Sequence, residues 1–218
     1  MEPFAWEPTP EYIEPANVSR FMRAHGISSY PDLISRSQDD IEWFWQAVID
    51  DLGIEFFTPY RAIVETPKGI PWAIWFGGST VNLTYNCVDR HAAHAPGRTA
   101  LVWEGEDGAT RTLTYGDLKR EVDTFANGLR ALGIGPGDAV GIYMPMIIEN
   151  VVALYACSKI GAVWLPIFSG FAANAVAARL QDADAVALIT ADGFWRRGSQ
   201  VRTPSRRLRP GAPPELSA

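Results

Sequence analysis

Residues 139–190 read AVGIYMPMIIENVVALYACSKIGAVWLPIFSGFAANAVAARLQDADAVALIT, and the order of apolar runs and glycines in this stretch decides the fold. Ala139–Met144 is an aliphatic run of strand length, Met146–Ile160 carries the longer apolar pattern of a helix, and Gly161 ends that helix. Val163–Phe168 reads as a second strand, Ala172–Leu180 as a second helix and Val186–Thr190 as a third strand. Strands joined by single helices at this spacing predict a parallel sheet with right-handed crossovers. Val151–Phe168 is also almost continuously apolar and close to bilayer-spanning length. Ser158, Lys159, Gly161 and Pro166 interrupt it, and a mid-span lysine costs about 3 kcal/mol in lipid. A buried helix followed by a buried strand explains it better.

Upstream, Ala100–Trp103 and Arg111–Leu113 flank Asp107-Gly108, the signature of a hairpin. Thr114 is placed to cap a helix, with Asp117 three residues on as in a capping box. Leu118, Val122, Phe125, Leu129 and Leu132 then repeat at helical spacing, and Gly133 stops the helix. Asn82–Ala95 also reads as helical. Cys87, His91 and His94 share one of its faces, but zinc normally takes four ligands and no fourth stands nearby, so no metal set is expected. Before it, Asn17 is placed to cap a short helix ending at Gly26, and Ser37 or Asp39 to cap a second running from Ile41 to Gly53. Trp43, Phe44 and Trp45 in that helix suit packing better than ligand binding. Pro59, Pro67 and Pro71 keep the following chain extended.

The bulk composition sets outer bounds. Of 218 residues 47% are hydrophobic and 20% charged, which is ordinary for a soluble protein, and the net charge of −6 disfavours nonspecific nucleic-acid binding. Cys87 and Cys157 are the only cysteines and form no CxxC pair, as in a reducing cytoplasm. The first residues, MEPFAWEPTP, lack the basic and apolar runs of a signal peptide. Charge is uneven: residues 202–218 carry four arginines and one acid, while the rest is acidic. That Pro/Arg segment has too few apolar residues to offset ordering entropy and is expected to be disordered, either as a natural tail or as a frame-shifted or artificial end. The chain is thus expected to comprise a helical and extended region at 1–95, a partial α/β domain at 96–201 and a basic tail at 202–218.

Three glycine-rich segments invite a nucleotide reading. Gly77-Gly78-Ser79-Thr80 lacks the lysine of a P-loop, and Gly133-Ile134-Gly135-Pro136-Gly137 follows a helix and enters a strand, so it offers no helix N-terminus to a phosphate. Phe168-Ser169-Gly170-Phe171 is placed differently, between a strand's carboxyl end and a helix, where parallel sheets bind ligands. One strand further on, Thr190–Gly198 carries Arg196 and Arg197, whose forked guanidinium groups suit phosphate. Both arginines are equally open to being plain solvated side chains. If the two loops lie side by side, Phe168, Ser169, Gly170, Arg196 and Arg197 form one shelf for an anionic ligand. No catalytic residue emerges: no Ser/Thr/Gly-rich loop followed by lysine, no Ser-His-Asp set and no HExxH is present.

Taken together, Trp75–Asn82 with Asn86–His91, Leu113–Leu118, Ile142–Ile147, Ile160–Val163, Phe168–Phe171 and Ile189–Gly193 with Arg196–Gly198 resemble, in order, the motifs of the AMP-forming acyl-CoA synthetases of the acetyl-CoA synthetase branch. The resemblance covers about residues 11–201, with Ser79 standing where that branch usually has a second glycine. It implies the N-terminal part of the adenylate-forming fold and the reaction of a carboxylic acid with ATP and CoA, assisted by Mg, to give acyl-CoA, AMP and diphosphate. It also implies that the Phe168–Gly170 loop and Arg196 border the CoA nucleotide, with Arg197 as a less certain neighbour. The family's phosphate loop, later ATP motifs and C-terminal lysine domain have no counterpart in these residues, so the chain alone is expected to be inactive. Two other readings stand beside it: a noncatalytic module for CoA or another nucleotide, and an interaction fragment that self-associates through incomplete sheet edges.

Overall fold

The computed structural model describes residues 6–196 and 198–202, so Arg197 and residues 203–218 of the basic tail lie outside the described residues. Two compact units divide between Val81 and Asn82.

The first unit begins with four helices: α1 (Pro10–Ile13), α2 (Asn17–Ala24), α3 (Tyr30–Asp39) and α4 (Ile41–Leu52). The two longest are set by local chemistry. Ser29 accepts a hydrogen bond from the Asp32 amide at 3.2 Å to start α3, and Asp40 accepts one from the Trp43 amide at 3.0 Å to start α4. Gly53, at φ 59°, takes the left-handed turn that ends α4. The structure corrects the expected caps. Asn17 is the first residue of α2, behind an Ala16 that makes no side-chain cap, and Ser37 lies inside α3, donating to the Ile34 carbonyl at 2.8 Å. Phe21, Leu33 and Ala47 form a small buried cluster flanked by Trp43 and Phe44. Beyond it, the strands β1 (Val64–Glu65) and β2 (Ile74–Trp75) pair antiparallel.

The second unit opens with a helix over 83–94, whose Tyr85–Asp89 segment is a π turn and whose Arg90–His94 segment is α5. The hairpin follows as β3 (Thr99–Glu104) and β4 (Thr110–Thr114). Then come α6 (Tyr115–Ala131), β5 (Ala139–Tyr143), α7 (Ile148–Lys159), β6 (Val163–Pro166), α8 (Ala173–Asp182) and β7 (Ala187–Thr190). Strands β6, β5 and β7 form one parallel sheet in that order, so the α/β reading holds. A second hairpin, β8 (Gly193–Arg196) with β9 (Ser199–Arg202), occupies the segment read from sequence as a strand-end loop.

Both long helices stop by the same device. Gly133 at φ 86° and Gly161 at φ 78° turn the chain, and the Ile134 and Ala162 amides donate back to the Leu129 and Cys157 carbonyls at 3.1 and 3.0 Å. This explains one misplaced core residue. Leu132 caps α6 and is 78% exposed, while Ile134, swung under the helix end, is buried. Ala126 is likewise buried in the α6 core face, whereas Phe125 is 36% exposed. Val88, Val122, Val140, Ile148 and Cys157 are among the core's fully buried side chains. Thr84, fully buried, donates its hydroxyl proton to the Tyr155 carbonyl at 2.6 Å, and Asn82 donates to the Ser158 and Lys159 carbonyls at the end of α7. Among the described residues no helix is long and apolar enough to cross a membrane; α7 ends at Lys159 and β6 begins at Val163.

Candidate functional site

The carboxyl ends of the parallel strands converge on one cleft. From β6 the chain enters a tight turn in which the Phe171 amide donates to the Phe168 carbonyl at 3.0 Å. At the end of β5, the Tyr143 hydroxyl lies 3.1 Å from the Ser169 carbonyl oxygen and 2.9 Å from that of Phe171, donating its proton to this pair. Phe168 meets Phe171 edge-on at 5.5 Å, and the Arg179 guanidinium of α8 sits 4.2 Å from the Phe171 ring centre. Helix α8 then starts behind Ala172, which supplies no side-chain cap, so its first amides are not met by a side chain of their own cap residue.

The cleft has a volume of about 430 Å³. Phe168 and Ser169 line one side together with Gly193 and Trp195 of β8, and Pro145, Met146 and Ile147 of the loop after β5 contribute an apolar stretch. The remaining wall comes from the first hairpin: Trp103, Glu104, Gly105, Glu106 and Asp107. That hairpin is pinned in place. Trp103 Nε1 donates to the Met146 carbonyl at 2.7 Å, Arg111 pairs with Glu149 of α7 at 2.8 Å, and the Gly198 amide donates to Glu106 Oε2 at 3.2 Å.

Of the five shelf residues, Phe168 and Ser169 line the cleft, Gly170 lies in the turn beside them, and Arg196 is the last residue of β8. Sequence reasoning missed the other wall. Glu104-Gly105-Glu106-Asp107-Gly108 carries a plain turn signal, and only the hairpin's return to the sheet end brings its carboxylates and Trp103 to the ligand side. The outcome is a cleft lined by aromatic and apolar surface, three acidic residues, and Phe168 and Ser169 at the start of the turn.

The other segments singled out in the sequence are occupied by the protein itself. Gly78 takes φ 80°, and a methyl group there would lie 3.3 Å from the Arg61 guanidinium, while the Arg61 amide donates to the Gly77 carbonyl at 3.0 Å. His91 packs its ring 5.0 Å from that of Tyr115, and burial, reinforced by Arg90 and Arg98, holds it below the ordinary histidine pKa. His94 Nδ1 lies 2.7 Å from the Arg90 carbonyl oxygen, which makes Nδ1 the protonated nitrogen. Burial pushes the Cys157 thiol up to about 11, so it is an inert core residue. Among the described residues no group of three or more His, Cys, Asp or Glu is arranged to hold a metal ion.

An ion network ties the helices beneath the sheet. Lys159 of α7 pairs with Asp89 at 2.8 Å and with Asp123 of α6, which also pairs with Lys119. Burial works against the Asp123 carboxylate, but the hydrogen bonds from Lys119 and Lys159 outweigh it and hold its pKa below the usual value. On Lys159 burial acts downward first, and Asp123 and Asp89 together raise the pKa.

Comparison with known proteins agrees with the fold. Residues 88–214 match the family described as AMP-binding enzyme, and residues 30–87 match that described as acetyl-coenzyme A synthetase N-terminus. The acetyl-coenzyme A synthetase of Thiobacillus denitrificans is 40% identical over 194 residues, 89% of this chain and 28% of that protein. That of Gemmatimonas aurantiaca is 46% identical over 160 residues, 72% of this chain and 24% of that protein. The solved structure of acetoacetyl-CoA synthetase from Streptomyces lividans matches with a TM-score of 0.80 at 34% identity, covering 90% of this chain and 31% of that one. The chain therefore spans less than a third of the length of these relatives. The AMP-binding match takes in more than half of the 218 residues and joins directly onto the synthetase-type N-terminus, so this chain belongs to the AMP-binding enzymes, in their acetyl-CoA synthetase branch.

Proposed function

We propose that these residues form the front portion of an acid–CoA ligase, which joins a carboxylic acid to CoA through an acyl-adenylate made from ATP, and that by themselves they bind CoA without catalysing the reaction. The observation that carries this reading is the meeting of two strand-end segments, Phe168-Ser169 and Gly193 to Trp195, on one cleft at the carboxyl edge of a parallel sheet. In this reading the CoA phosphates lie on the side of the Phe168–Gly170 turn and the Arg196-Arg197 pair. Glu104, Glu106 and Asp107 of the first hairpin also line the cleft, Glu106 accepting from the Gly198 amide, and their charge repels phosphate from that hairpin. Adenylation needs a clamp on the triphosphate, and residues 1–218 hold no Ser/Thr/Gly-rich loop followed by lysine. Among the described residues no group of three or more His, Cys, Asp or Glu is arranged to hold a metal ion, and no step is routed through magnesium here.

Titration of CoA into the purified chain, followed by calorimetry, tests the proposal. Saturable binding is expected, weakened at least about tenfold when Arg196 and Arg197 are both replaced by alanine, the loss of roughly one charged hydrogen-bonded contact. Unchanged binding in that variant removes the shelf. A second reading, self-association, is favoured by the strand order β6-β5-β7, in which β6 and β7 stand at the two sides of a three-stranded sheet. Sedimentation at rising concentration separates the two, since a CoA-binding monomer shows no shift.

A further inference from the structure

Tyr143 is not part of the cleft lining, yet it is the side chain that grips the turn on which the proposed CoA shelf rests. Its hydroxyl faces two backbone carbonyls, those of Ser169 and Phe171, at 3.1 and 2.9 Å. Each belongs to a planar trans peptide, in which the C=O and the following N–H point in opposite directions. With both carbonyls turned toward the phenol, the Gly170 and Ala172 amides are turned away from it. Among the described residues neither of those amides meets a protein acceptor. The phenol sits at the end of the central strand β5, half-buried and held in the parallel ladder by pairing of its own residue with Thr190. The sheet thereby holds the orientation of a surface turn whose backbone is closed by the hydrogen bond from the Phe171 amide to the Phe168 carbonyl.

We propose that Tyr143 is a positioning residue for CoA: it holds the Phe168–Phe171 turn with two carbonyls inward, so that the Gly170 and Ala172 amides are presented as donors to the ligand's phosphate oxygens. This rests on the reading of the cleft given above. Tyr143 does not touch the ligand and acts only through the turn.

The decisive variant is Tyr143→Phe, which keeps the ring and removes the grip. In the free protein, hydrogen exchange at the Phe171 amide, which closes the turn, accelerates several-fold while amides of β5 and α7 keep their rates. The CoA dissociation constant rises about five- to tenfold, the equivalent of one net hydrogen bond. CoA also ceases to protect the Gly170 and Ala172 amides from exchange. Ile134→Val, a comparable loss of stability at the opposite edge of the sheet, binds CoA as the parent does. Parent-like CoA binding by Tyr143→Phe, or an equal loss in Ile134→Val, overturns the proposal. If the parent chain takes up no CoA, the cleft reading itself fails, and Phe171 exchange then decides alone whether Tyr143 orients the turn: an unchanged rate overturns that too.

Discussion

The two units of this chain are stabilised in different ways. In residues 6–81 the buried helical cluster comprises three side chains, Phe21, Leu33 and Ala47, and the two longest helices, α3 and α4, each start at their own side-chain cap. Large apolar residues remain outside it, with Ile70 at 85% and Trp72 at 68% exposure. In the second unit fourteen buried residues form one continuous cluster drawn from the π turn, α6, α7 and the sheet. Burial is shared there, so loss at one position is felt across the unit, while in the first unit damage stays local. A ligand cleft needs the second kind of support, because its walls come from loops that only a common core holds in register.

The largest effect is expected where burial is most complete. Ile148, 1% exposed, lies at the start of α7, and Ile148→Ala should lower unfolding free energy by about 3–4 kcal/mol, read by urea denaturation. A loss below about 1 kcal/mol would mean the core is loose and the contrast false. Phe21→Ala should remove about 3 kcal/mol from its own cluster, releasing amides of α2–α4 to exchange while those of α6 and α7 stay protected. Equal loss of protection in α6 would show the two regions to be one cooperative unit.

Lys159→Met sharpens the comparison further, because among the described residues it leaves Asp89 and Asp123 sharing Lys119 as their ion-pair partner. A loss of about 2 kcal/mol at neutral pH is expected, below that of a fully buried pair because the lysine side chain is 25% exposed. Asp123 has a lowered pKa in the folded protein, so its contribution is complete above the ordinary carboxylate value and fades as pH falls through the folded one. The gap between variant and parent should therefore narrow in acid. The smallest effect is at the capping box: Thr114→Ala should cost about 1 kcal/mol. The hydrogen bonds from Thr114 and Arg120 hold Asp117 at about 2, so the cap persists below pH 4 and is lost only as pH approaches that value. Far-ultraviolet dichroism against pH, for parent and variant, checks this.

What could be read from sequence follows the same divide. The parallel sheet was legible because Gly133 and Gly161 punctuate strongly periodic helices and the strands are short aliphatic runs. The Thr114–Asp117 box was legible because its spacing is a chemical requirement. Helix α3 was hidden, because Ser37 and Asp39 within it read as caps for the helix that follows.

 Its polar second half, Ser35–Asp39, masks the single turn of apolar residues, Leu33 and Ile34, that precedes it. The β8–β9 hairpin was missed because Arg196 and Arg197 read as a ligand loop, although Gly198, at φ 73°, supplies the left-handed residue that a tight hairpin needs. In the candidate site, Phe168 to Gly170 could be found from position alone, at a strand's end before a helix. Trp103, Glu104, Glu106 and Asp107 could not, since nothing local to a hairpin tells which sheet edge it returns to. Tyr143 was hidden for the same reason: its role depends on carbonyls 26 and 28 residues away.

The central claim is that these 218 residues carry a ligand-binding edge without the apparatus that handles the ATP triphosphate. Incubating the purified chain with acetate or another short acid, ATP, magnesium and CoA, and assaying for AMP and thioester, tests it most directly. The account predicts saturable CoA binding and no product above the enzyme-free control. Formation of acyl-CoA by the chain alone would contradict it.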